Sequence, residues 1–170
     1  MKIRYNEDVE VRFLSSKRKS FLRFLLPRTI KMELVKDLWI RSDWLISGKR
    51  IAFIISTPFK YDGASVPSFL WWYVSPIDEN IRVASAGHDF LTKKKGKVFL
   101  YIFENNEWKE YKEVKFTRLQ ADLLLYEKMK SFGAGFLKRF VVFLGVRMAG
   151  WIWFYKVDEK LKKIFTVIIK

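Results

Sequence analysis

The sequence predicts an α+β protein: an N-terminal antiparallel β portion packed on about three helices, with a β-ribbon inserted between the helix that carries His88 and the helix that carries Asp122. Three observations predict it. Apolar and polar residues alternate early in the chain, as in Val9, Val11 and Phe13 with Glu10 and Arg12 between them. From Asp78 onward the apolar spacing changes to threes and fours, the repeat of a helical face. Between two such helical stretches, Val98 to Phe116 returns to a strand-like pattern around Glu104-Asn105-Asn106-Glu107.

The elements follow in order. Val9 to Phe13 reads as a short half-buried strand. Lys17 to Arg28 mixes Lys17, Arg18, Lys19, Arg23 and Arg28 with Phe21, Leu22 and Phe24 to Leu26, so as a helix it has one cationic and one apolar face, ended by Pro27. Leu34 to Ile46 and Arg50 to Ser56 form a hairpin about Ser47-Gly48-Lys49. Ile81, Ala84, His88 and Leu91 mark one face of a helix closed by Lys93-Lys94-Lys95-Gly96. Val98 to Phe103 and Trp108 to Phe116 are the ribbon. Thr117 and Gln120 have the spacing of a capping box, and the helix they open carries Leu119, Asp122, Leu125, Tyr126 and Met129 on one side. Gly133-Ala134-Gly135 breaks it before a last long helix from about Phe136 to Tyr155.

At 170 residues the expected organisation is a single domain over 1–170. Half the residues are hydrophobic, enough to form a core. The absence of cysteine excludes disulfides, thiol catalysis and thiolate-held zinc, and the one histidine excludes any site that needs two. The N-terminus reaches charged residues before any apolar run, so the expectation is cytoplasmic synthesis, in a host cell or a virion, without a secretory signal. Lys138, Arg139 and Arg147 interrupt the Phe136 to Tyr155 stretch, which therefore reads as buried or interfacial rather than membrane-spanning.

Lysine and arginine number 33 against 18 aspartates and glutamates, a net charge of +15. Such a field favours phosphate-bearing partners. Basic and apolar residues interleave, so an anionic lipid surface, bound peripherally, is the leading partner, with Lys17, Arg18, Lys19, Arg23, Trp71 and Trp72 as candidate contacts. Nucleic acid is the other reading of the same charge.

The candidate chemistry lies where polar groups interrupt apolar stripes. His88 and Asp122 both point inward, and each faces a desolvation cost that a mutual bond would offset; no equally placed partner is evident on either stripe, although an arginine such as Arg147 is an alternative for Asp122. Asp89 points about a quarter-turn away, on a face with Arg82 and Ser85, free for a metal or for that arginine. Asp62-Gly63-Ala64-Ser65-Val66-Pro67 is turn chemistry, and a loop of small residues with acidic and hydroxyl side chains such as Asp62 and Ser65 can also bring backbone groups close to a metal ion or an anion. A histidine held by one carboxylate beside a second suits activation of water, with a divalent cation polarising the group attacked. A core histidine satisfied for packing fits the same pattern.

Phe59, Asp62 to Pro67, Trp71, His88-Asp89-Phe90-Leu91, and Arg118 with Ala121-Asp122 together resemble a family of small proteins of phages and prophages, domain of unknown function family 1353, over about residues 50 to 155. The resemblance implies a phage or mobile-element origin and a virion component as partner. Thr92 stands where that family usually has tyrosine. In arrangement the chain is also similar to the phospholipase A2 superfamily, in which a His-Asp helix, a ribbon and an antiparallel helix with a supporting aspartate follow one another. That similarity implies His88 as base, Asp122 as supporting acid and Asp89 as a calcium ligand. The expected function is a metal-assisted hydrolase at a lipid or cell-envelope interface, or a non-catalytic phage structural, assembly or anionic-surface-binding protein.

Overall fold

The computed structural model describes residues 10–14, 31–62, 73–75 and 78–154, with side chains through Arg147. Lys17, Arg18, Lys19, Arg23, Ser65, Trp71 and Trp72 lie outside the described residues.

Alternation becomes two antiparallel sheets. Strands β1 (Val11–Phe13), β2 (Lys31–Leu34) and β5 (Phe59–Asp62) form the smaller, in the order β1-β2-β5, with Met32 opposite Tyr61 and Lys31 opposite Asp62. Strands β3 (Leu38–Ile46), β4 (Lys49–Ile55), β6 (Lys97–Glu104) and β7 (Glu107–Lys115) form the larger, in the order β3-β4-β6-β7. Both of its tight turns place two successive residues in the left-handed region, Ser47 and Gly48 at φ 53° and 74°, Asn105 and Asn106 at φ 51° and 63°. Such turns match the right-handed twist of the strands they join.

One expectation is corrected here, and the ribbon, present between α1 and α2 as expected, proves to be part of a larger sheet. The arm expected from Leu34 to Ile46 is two strands in different sheets, because the chain turns at Val35 to Asp37, where the Asp37 carboxylate accepts from the Thr57 amide at 2.7 Å and hydroxyl at 3.0 Å. The ribbon, in turn, is half of the larger sheet. Strand β6 pairs with β4 through Ile51–Ile102 and Ala52–Tyr101, and Val98, Leu100 and Ile102 alternate into the core.

The helical repeat yields α1 (Glu79–Lys93), α2 (Arg118–Ser131) and α3 (Phe136–Phe154). Asp78 caps α1 by accepting from the Asn80 amide at 3.0 Å. Beyond α1, Gly96 adopts φ 80° while its amide bonds Leu91 at 2.7 Å, and a Cβ there would lie 2.0 Å from the Phe116 carbonyl oxygen, so glycine is required. The capping box of α2 is complete: Gln120 N donates to Thr117 Oγ1 at 3.2 Å and Thr117 N to Gln120 Oε1 at 2.7 Å. Leu119, expected on the inward face of α2, is 49% exposed; the buried face consists of Ala121, Asp122, Leu124, Leu125, Lys128 and Met129.

Two core clusters result. Met32, Ile40, Phe53, Tyr61, Leu91 and Leu100 belong to the one that includes the strands, and Ile81, Ala84, Leu125, Met129, Val142 and Val146 to the one among the helices. Helix α1 contributes to both. At Gly87 its missing side chain leaves room for Ile40 of β3, whose Cδ1 would meet a Cβ at 3.4 Å. Helix α2 is anchored separately, since Glu127 accepts from Ser42 and the Asp43 amide where β3 shifts register, and Lys128 Nζ donates to the Arg41 carbonyl at 2.8 Å. No helix among the described residues is long and apolar enough to cross a membrane.

Candidate active site

Asp122 is 0% exposed, and a carboxylate removed from water in this way requires compensating donors. It has three cationic or cation-forming neighbours. His88 Nε2 lies 2.8 Å from its Oδ1, Arg118 Nε 3.0 Å from the same oxygen, and Arg147 Nη1 3.0 Å from Oδ2. The expected His88–Asp122 contact is present, the alternative partner Arg147 is present with it, and Arg118 is a third partner that the stripes did not indicate. Arg118 reaches Asp122 from one turn away on α2, and its remaining nitrogens donate to Thr92 Oγ1 and to the Val146 carbonyl, each at 3.1 Å. Residues of α1, α2 and α3 thereby meet at one carboxylate. The position where the resembled family has tyrosine is here a threonine that accepts from this arginine.

The second nitrogen of His88 has a different environment. Nδ1 lies 3.7 Å from Asp89 Oδ1, beyond hydrogen-bond distance, and the other Asp89 oxygen accepts from the Asp62 amide at 3.0 Å. One oxygen of Asp89, the residue expected to be free for a metal or for Arg82, holds the end of β5. Asp62 and Asp89 are thus brought together beside His88. Among the described residues, no three Asp, Glu or His side chains are grouped so as to hold a metal ion.

Electrostatics follows from this layout. Burial pulls the His88 imidazole towards neutrality, but its contacts with Asp122 and Asp89 and the charge of Asp89 outweigh that, so its pKa is raised. Burial would raise the Asp122 pKa, yet His88, Arg118 and Arg147 together hold it below the ordinary value. Asp62 is raised, first by burial and then by the Asp89 charge, against the opposing effect of Lys93 and Lys31. The result is an imidazole kept basic on one side of α1, with two neighbouring carboxylates competing for positive charge beside it.

Beside the carboxylates lie groups that sequence reasoning did not connect. The Tyr61 hydroxyl, Ser85 Oγ and Arg82 Nε are buried without a hydrogen-bond partner among the described residues. Tyr61 is 1% exposed and Ser85 3%. Burial raises the Tyr61 pKa, with Arg82 opposing and Asp89 reinforcing that rise. Arg82 and Ser85 were legible as neighbours of Asp89 on the helix, whereas Tyr61 joins them only through the packing of β5 against α1, held by the Asp62 amide bond to Asp89.

A family model described as a protein of unknown function (DUF1353) matches residues 39–146. The chain belongs to that family. No curated protein and no solved structure matches it. The matched region of the family runs from β3 into α3, so it includes Asp62, His88, Asp89, Arg118 and Asp122, and it ends one residue before Arg147.

Proposed function

We propose that this member of the family is a hydrolase of phage or prophage origin, acting at a lipid or cell-envelope interface, in which His88 is the general base. The observation that carries the reading is the division of labour on the imidazole: Nε2 is occupied by Asp122, and Nδ1, 3.7 Å from Asp89 Oδ1, makes no hydrogen bond among the described residues. With Nε2–H donating to Asp122, the lone pair of the ring is on Nδ1, the atom able to accept a proton from water. The water oxygen bonds to the carbonyl or phosphoryl centre of an ester as its proton passes to Nδ1. That proton then returns to the leaving alkoxide, and the histidine is restored. Asp122 is a positioning residue, since it fixes the tautomer and ring orientation without touching the reacting atoms.

The oxygen chemistry of Asp62 and Asp89 suits a hard divalent cation such as calcium, and the observation that fits one there is their proximity, fixed by the Asp62 amide bond to Asp89. Bound to these carboxylates, it would supply charge stabilisation to the oxygen of the group under attack. The interface is supported by the net charge of +15 and by exposed Leu119, Leu123, Phe136, Phe140 and Leu144 on α2 and α3, the apolar complement of a cationic surface that meets anionic lipid.

A second reading has its own observation. Asp122 gathers Arg118 and Arg147 as well as His88, and such a hub serves a non-catalytic phage component that needs only to hold three helices together. His88→Gln separates the two. Loss of at least about a hundredfold in ester hydrolysis, the scale of a removed general base, with a cooperative melt retained supports the hydrolase. Unchanged hydrolysis, or none in the parent protein across carboxylic and phosphate esters, leaves the component reading.

A further inference from the structure

On α1, Arg82, Ser85 and Asp89 are spaced by three and four residues and therefore share one face. The bond from the Asp62 amide to Asp89 brings the end of β5, and with it Tyr61, against that face. Three donors are buried there with no hydrogen-bond partner among the described residues: the Tyr61 hydroxyl, Ser85 Oγ and Arg82 Nε. Buried polar groups are nearly always hydrogen-bonded, so a cluster of three orphans implies an acceptor that comes from outside the chain.

The chemistry of the donors selects its class. A cation would be repelled by Arg82 and would leave its Nε unmet, and an apolar ligand would leave all three unmet. A carboxylate has acceptor sites for three donors, but they lie in one plane, whereas these donors come from a strand and from successive turns of a helix. A phosphate group has enough oxygens, tetrahedrally arranged, to serve a guanidinium and two hydroxyls together. The carboxylates nearby oppose an anion, while Arg82 itself and Lys93 and Lys31, which act on Asp62, offset them.

We infer that Tyr61, Arg82 and Ser85 bind a phosphate group, and that the ester processed beside His88 is therefore a phosphate-bearing one. The second clause rests on the hydrolase reading; the binding itself does not. The phosphate belongs either to a lipid headgroup or to a soluble molecule, and the donors recognise the chemistry common to both.

The test titrates the full chain with inorganic phosphate, with glycerol 3-phosphate, with acetate, and with phosphatidylcholine vesicles with and without phosphatidic acid, following heat and thermal midpoint. Tyr61→Phe and Ser85→Ala are each expected to weaken inorganic phosphate binding about threefold to tenfold, and Arg82→Gln by about tenfold or more, the scale of one lost hydrogen bond to a charged group. Phosphatidic acid vesicles bound more tightly than glycerol 3-phosphate, by a margin that Tyr61→Phe removes, identify a headgroup. Equal sensitivity with glycerol 3-phosphate identifies a soluble source. Acetate binding as well as phosphate, or phosphate affinity unchanged in all three variants, overturns the inference. His88→Gln keeps the two proposals apart. Phosphate bound without any His88-dependent hydrolysis removes the hydrolase and leaves the site, whereas His88-dependent hydrolysis without phosphate binding removes the site alone.

Discussion

Helix α1 presents two polar faces about a quarter-turn apart, and they are in opposite conditions. On the His88 face, one fully buried carboxylate is met by an imidazole and two guanidiniums drawn from three helices. On the Asp89 face, Tyr61, Arg82 and Ser85 bury donors that meet no partner among the described residues. Both faces are built from residues costly to bury. The difference teaches where the chain has committed its polar groups to its own structure and where it has kept them for something else, since a satisfied network rigidifies while an unsatisfied one persists only if a ligand repays it.

The sharpest way to break this comparison is to empty the satisfied face. Asp122→Ala removes the carboxylate that His88, Arg118 and Arg147 share, and the expected loss is about 3 to 5 kcal/mol, the range for breaking one side of a buried ion pair. Urea denaturation measures it. Asp122→Asn keeps the shape and part of the hydrogen bonding, so it should fall between the parent and the alanine variant. A loss below about 1 kcal/mol for alanine would mean that the three cations find water instead, and the hub would no longer contrast with the other face.

A smaller effect comes from pH. His88 has a folded pKa above its ordinary 6.5, so its contribution is complete below that value and is lost as pH rises through the raised one. Asp122 has a folded pKa below its ordinary 3.8, so its contribution is present above that value and is lost as pH falls through the lowered one. The hub is strongest between the two. Denaturation of the parent and of His88→Gln across this range should show their stability difference shrinking on the alkaline side. A constant difference from pH 5 to 9 would detach His88 from the hub.

Legibility in the sequence followed the range of the forces involved. The turn at Ser47-Gly48, the capping box at Thr117 and the glycine stop at Gly96 depend on a few neighbouring residues and could be read directly. His88 and Asp122 were legible because each breaks an apolar stripe on its own helix. Arg118 lies one turn from Asp122 and could have been paired with it by the same spacing rule. The division of Leu34 to Ile46 between two sheets could not be read, because both arms alternate and the corner is marked by bonds to residues far away in sequence, Asp37 to Thr57 and Val35 to Glu10. The place of the ribbon as half of a sheet likewise depends on β4, far away in sequence. Tyr61 belongs to the same class: its local pattern is that of a core aromatic, and its hydroxyl acquires meaning only once β5 rests against Arg82 and Asp89.

The smallest effect tests the unsatisfied face by stability alone. In phosphate-free buffer Tyr61→Phe deletes a hydroxyl that has no partner and leaves the ring packing unchanged, so the variant should match the parent or exceed it by up to about 1 kcal/mol, part of the penalty for an unmet buried group. Ser85→Ala should move the same way, but alanine also favours the helix by roughly half a kcal/mol, which makes the tyrosine the cleaner probe. With saturating phosphate the sign should reverse, because ligand bound to the folded state stabilises the parent in proportion to its tighter binding. If Tyr61→Phe instead destabilises the phosphate-free protein by more than about 1 kcal/mol, the hydroxyl already has a partner such as a fixed water, and the two faces of α1 are alike.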